Sequence, residues 1–159
     1  KEKVKKNDGV VQKKLEKVRI SKYDRACQNI IYFMMNDGKF ISEFESELGY
    51  FHEKKYRNLA NEIIYYYKEK QHMDISAFIS FISTKDYIYE DAMEIIRRNQ
   101  ISTFDMKAFD EFISVAKKEM VQQEIRDLKE QIANSMDANE EIELAQKLLN
   151  LKKGCVGNE

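Results

Sequence analysis

The stretch that decides the fold is Asp105–Ser135, DMKAFDEFISVAKKEMVQQEIRDLKEQIANS. It contains no proline or glycine, and Asp105 supplies a side-chain acceptor for the first free amides of a helix. Its first half carries the apolar stripe Phe109, Ile113, Ala116 and Met120, reinforced by Phe112. Continuing that stripe would require apolar residues near 123, 124 and 127, where the chain has Gln123, Glu124 and Asp127. A new stripe begins instead with Val121, Ile125, Leu128 and Ile132. At about 100° per residue the second stripe is rotated by roughly 120° from the first. One continuous helix therefore faces two partners: its first half belongs to a globular body, its second half to whatever follows.

Working back from this helix, all eighteen Tyr and Phe residues lie between Tyr23 and Phe112. Aromatic rings supply core volume, so a helical bundle is expected over residues 21–120. Five helices precede the long one. The first starts at a Ser21 cap, runs to about Asn36 with Ala26, Ile30, Phe33 and Met34 inside, and breaks at Asp37-Gly38. A second, about Lys39–Leu48, uses Phe40, Ile41, Phe44 and Leu48 and stops at Gly49. The third, about Glu53–Gln71, places Tyr56, Leu59, Ala60, Ile63, Ile64 and Tyr67 at helical spacing. Asp74 caps a short fourth with Ile75, Phe78, Ile79 and Ile82; a fifth from Asp86 carries Ile88, Ala92, Ile95 and Ile96. Strands compete at residues 79–82 and 86–89, whose β-branched and aromatic content suits a sheet; the caps and spacing favour helix.

Working forward, Ser135-Met136-Asp137 forms a polar turn, and Asp137 with Glu140 has the pattern of a capping box. A last helix is expected from Ala138 to about Lys153, with a favourable Glu143–Lys147 pair, Lys152-Lys153 at its negative end, and Gly154 as terminator. Residues 121–153 then form a C-terminal helical hairpin, and 154–159 a tail containing Cys155. This helix has two apolar faces: Ile142, Ala145 and Leu149 on one, and Leu144, Leu148 and Leu151 about 125° away. A single hairpin partner covers only one. Either the hairpin folds back onto the body and buries both, or one face remains to dock on another protein.

Composition agrees with an all-α fold. The 159 residues include no proline and five glycines, whereas average usage is about 5% proline. Long helices with short polar connections follow. No run approaches the ~20 apolar residues of a membrane span. Residues 1–20 hold eight Lys/Arg against three Asp/Glu, while the remainder holds nineteen against twenty-five. An acidic body argues against nucleic-acid binding, which needs basic patches that displace counterions. The first twenty residues read as a basic linker, and the chain as a fragment of a longer protein. Cys27 reads as a core residue, and without a CxxC pair a reduced, cytoplasmic setting is expected.

Chemical motifs are nearly absent. The chain has no GxxxxGK[ST] loop, no GxGxxG, no HExxH and no Cys/His set with metal-ligand spacing. His52 and His72 are isolated, His72 with Asp74 reading as a cap region. The run Tyr65-Tyr66-Tyr67 spreads its rings around a helix, which suits packing better than base stacking. A catalytic role for this chain is not expected, nor a cofactor or metal.

Three segments carry a family resemblance: Tyr23–Asp37 (YDRACQNIIYFMMND), Glu53–Tyr67 (EKKYRNLANEIIYYY) and Ser135–Lys153 (SMDANEEIELAQKLLNLKK). From about Ser21 to Lys153 the chain resembles the C-terminal helicase-binding domain of bacterial DNA primase. The resemblance implies a bundle and a terminal hairpin sharing one long helix, the hairpin docking on the N-terminal domains of the hexameric replicative helicase. It places the polymerising and zinc-binding parts of primase outside this chain. It raises the acidic tail of a single-strand-binding protein as a second partner. Within this reading Ile142, Leu144, Leu148 and Leu151 are the expected apolar anchors, with Lys147, Lys152 and Lys153 as rim charges. Two alternatives stand beside it: a single-stranded nucleic-acid binder using the basic N-terminal segment, and a homo-oligomeric helical scaffold using the hairpin faces.

Overall fold

The computed structural model describes residues 19–99 and 101–156. Most of the expected basic linker and the last residues of the expected tail lie outside the described residues. Seven α-helices and no strand are found among the described residues: α1 Lys22–Asn36, α2 Gly38–Glu47, α3 Lys54–Lys70, α4 Ile75–Ile82, α5 Asp86–Arg98, α6 Met106–Asn134 and α7 Ala138–Val156. Both segments where strands competed are helical, in α4 and α5.

Local chemistry sets the boundaries. The Ser21 hydroxyl accepts from the Asp24 amide at 2.9 Å, Asp74 from Ala77 at 2.7 Å and Asp105 from Lys107 at 3.1 Å. Asp37 serves two helices at once. Its amide donates to the Phe33 carbonyl at 3.2 Å, closing α1, while its carboxylate accepts from the Lys39 amide at 2.9 Å, opening α2. Gly49, at φ 80°, closes α2 by donating to Phe44 at 2.8 Å. Gly38 has a packing reason rather than a conformational one: a β-carbon there would run into the Tyr67 ring.

α1 is the centre of the bundle and touches each of α2 to α6. Ala26, Cys27, Ile30, Ile31, Phe33, Met34 and Met35 are all buried, so the helix is enclosed around most of its circumference. Phe33 anchors an aromatic cluster, meeting Phe40 edge-on at 4.8 Å and Phe104 at 5.1 Å between centroids. Phe40 meets Phe109 of α6 at 4.9 Å. Each fully buried ring or branched aliphatic contributes about 1.5–3 kcal/mol of hydrophobic stabilisation.

One polar chain crosses this interior. Gln28 donates to the Tyr56 hydroxyl at 3.3 Å, and Tyr56 donates to Asp24 at 2.9 Å. The Tyr23 hydroxyl, beside Cys27, is buried without a hydrogen-bond partner. Burial pushes the Cys27 thiol up to about 12 and raises both tyrosines above the usual phenol value.

The tyrosine run is divided by helix geometry. Tyr66 is buried against Phe78 and Phe81, Tyr67 covers Gly38, and Tyr65 is exposed with its ring stacked on Phe81. The expected α3 stripe included Tyr67 and omitted Tyr66, which is the more buried of the two.

Candidate functional site

The long helix divides as its two stripes require. Phe109, Ile113 and Ala116 join the bundle core, whereas Ile125 and Leu128 are buried outside it. Between Ala116 and Ile125, about two turns, α6 buries no side chain fully. The helix is ~43 Å long at 1.5 Å per residue, and it leaves the bundle along this stretch. At its far end Ser135 turns the chain. The Asp137 carboxylate accepts from the Asn139 amide at 2.8 Å. Glu140 pairs with the Ser135 hydroxyl at 3.0 Å, so the expected capping box is replaced by a side-chain bond across the turn.

α7 then runs back along α6 and, among the described residues, packs on no other helix. Leu144 is 8% exposed, as are Ile125 and Leu128 opposite it. Leu148, Leu151 and Val121 are half-buried along the same seam. The other face stays open: Ile142 is 58% exposed, Leu149 56%, and Ala145 between them is half-buried. Met136 at the turn is fully exposed.

Three local expectations need correction. Gly154 does not terminate α7, which continues to Val156; helical φ is open to glycine, and a β-carbon there would meet nothing within 4 Å. Cys155 accordingly lies on the helix, exposed, rather than in a tail. Glu143 and Lys147 form no ion pair; both side chains are exposed, where a solvated state competes well.

The seven expected site residues fall on two sides of α7. Ile142 lies on the open face, and Lys152 and Lys153 flank it by helical position. Leu144 is buried and Leu148 and Leu151 are half-buried on the side of α7 that faces α6, so these leucines are less open to solvent than Ile142. Lys147 and Leu151 line a cleft of about 1140 Å³ where the end of α7 comes back toward the bundle. The bundle side of the cleft is Glu47, Leu48, Tyr50 and His52, and its floor includes Lys117, Met120, Val121 and Leu128 of α6. Leu149 shares the open face with Ile142 and belongs with the candidate anchors; its i, i+7 spacing from Ile142 was legible in the sequence. The cleft was not, because its lining comes from three segments, 47–52, 114–128 and 147–155, that lie far apart in the chain.

Among the described residues no group of three or more His, Cys, Asp or Glu is arranged to hold a metal ion. No helix there is long and apolar enough to cross a membrane. Neither the known protein-family models nor the curated proteins include a match to this chain.

Proposed function

We propose that this chain is the helicase-docking domain of a bacterial DNA primase, a cytoplasmic replication protein. In this reading the α6–α7 arm seats on the N-terminal domain of the hexameric replicative helicase and tethers primer synthesis to unwinding. One observation carries the reading: among the described residues α7 packs on α6 and on no other helix, and Ile142 and Leu149 are more than half exposed along one stripe. An amphipathic helix presented this way suits docking into an apolar groove. The likeness of the sequence to the primase domain supplies the partner.

The open stripe refines the anchor set. Ile142 and Leu149 insert into the partner, Lys152 and Lys153 orient the encounter as rim charges, and Leu144, Leu148 and Leu151 act indirectly by holding α7 on α6. Burying the exposed halves of two such side chains gains roughly 2–3 kcal/mol. The chain itself performs no chemical step in this reading; its contribution is proximity.

Titration of the helicase N-terminal domain tests the proposal. Ile142→Ser with Leu149→Ser is expected to weaken binding by about 30- to 100-fold with the helical circular dichroism unchanged. A truncation ending at Ser135 is expected to abolish it. Equal affinity of the truncated and full chains would remove the arm from the interface.

A further inference from the structure

The open stripe of α7 has a pattern beyond its exposure. Ala138, Ile142, Ala145 and Leu149 follow one another at intervals of four, three and four, the a/d repeat of a coiled-coil seam. The charges along the helix are segregated. Glu140, Glu141 and Glu143 occupy its first part without a cation, and Lys147, Lys152 and Lys153 its second part without an anion. A parallel copy would set like charge on like charge, whereas an antiparallel copy sets each acidic turn against a basic one and opposes the helix dipoles.

We propose that a second copy of this chain covers the stripe, with α7 pairing antiparallel to α7 about a two-fold axis at Ala145–Gln146. Ile142 of one copy then meets Leu149 of the other, twice, by the self-complementarity of an isologous contact. Ala145 sits at the crossing, where a methyl group lets the two helices approach closely. Glu141 and Lys152 lie on the same flank of the stripe, so each Glu141 is within reach of the second copy's Lys152.

A seam of a few helical turns is shorter than stable interfaces of about 1,200–2,000 Å² require. The association is therefore weak and concentration-dependent. It uses the face assigned above to the helicase, so the second copy and that partner exclude one another. The inference itself needs only the stripe and its charges.

Sedimentation equilibrium of the full chain, with no other protein present, reads the pairing. The weight-average mass is expected to rise from 18.9 kDa toward twice that value between about 10 µM and about 1 mM, the range that brackets weak complexes. Ile142→Glu or Leu149→Glu is expected to hold the mass at the monomer. Lys152→Glu alone is expected to weaken pairing, and mixing it with Glu141→Lys to restore it. Orientation is read in a Cys155→Ser background: Ala145→Cys chains oxidise to a cross-linked dimer, and Ile142→Cys cross-links with Leu149→Cys but not with itself. A monomer at the highest concentration, or efficient self-cross-linking of Ile142→Cys, overturns the proposal and leaves the helicase titration to stand or fall separately.

Discussion

Lys117 of α6 and Glu47 of α2 lie 2.6 Å apart, an ion pair that ties the long helix to the bundle near the point where it departs. Both side chains are more than two-fifths exposed, so solvent screens the attraction and the two chains lose rotamer freedom in making it. Lys117→Met is expected to cost under about 1 kcal/mol. A double-mutant cycle with Glu47→Gln, read by urea denaturation, checks this. A larger coupling energy would give the pair a structural weight that its exposure denies.

Gly38 and Tyr67 make the opposite case. A β-carbon at Gly38 would overlap the outer ring atoms of the half-buried Tyr67, so the ring must shift to admit it. Gly38→Ala is expected to destabilise by about 1–3 kcal/mol, the range for overpacking. Because the clash is with one side chain, Tyr67→Leu is expected to recover a large part of the loss in the double variant. Additive losses would mean that the glycine is needed for backbone reasons instead.

The arm and the bundle are expected to differ in stability. Leu128 and Leu144 are both buried in the arm, where among the described residues α7 packs on α6 and on no other helix. Short helices depend on such burial. Leu128→Ala, expected to cost about 2–4 kcal/mol by loss of burial and the cavity left, should release amide hydrogen exchange across α7 while α1 keeps its protection. Equal loss of protection in α1 and α7 would show one cooperative unit.

Burial of Cys27 and Tyr56 sets an alkaline limit. Both groups are neutral in the fold, with values raised mainly by desolvation, Cys27 to about 12. In the unfolded chain a thiol ionises near 8.5 and a phenol near 10. Between the unfolded and the folded value the unfolded state holds fewer protons, so stability falls as pH rises through that window. Thermal melts are expected to show a falling Tm from about pH 8.5 upward, less steeply in Cys27→Ala once corrected for its neutral-pH loss. At pH 7.5 a maleimide should label Cys155 and leave Cys27 untouched, since only Cys155 is exposed.

Caps and breakers act locally, so each of the helices among the described residues was legible in the sequence. Ser21, Asp37, Asp74 and Asp105 each bond amides within three residues of themselves, and that geometry is written in adjacent letters. The two stripes that shift near Met120 are both buried in part, Phe109, Ile113 and Ala116 in the core cluster and Ile125 and Leu128 outside it. Local signals misled at Gly154, where a residue that often ends helices simply permits one, and at Glu140, whose carboxylate found Ser135 before the backbone.

Which apolar face of α7 stays open was beyond the sequence. Ile142–Leu149 and Leu144–Leu151 are equal as stripes on an isolated helix, and only the direction in which the Ser135–Asp137 turn returns α7 onto α6 selects between them. That choice buried Leu144 and left Ile142 and Leu149 in solvent. Periodicity determined that this chain is all-helical and how many apolar faces each helix carries, because it reports on the helix alone. Only the tertiary structure decided which face is available, because burial depends on where the neighbouring helix lies.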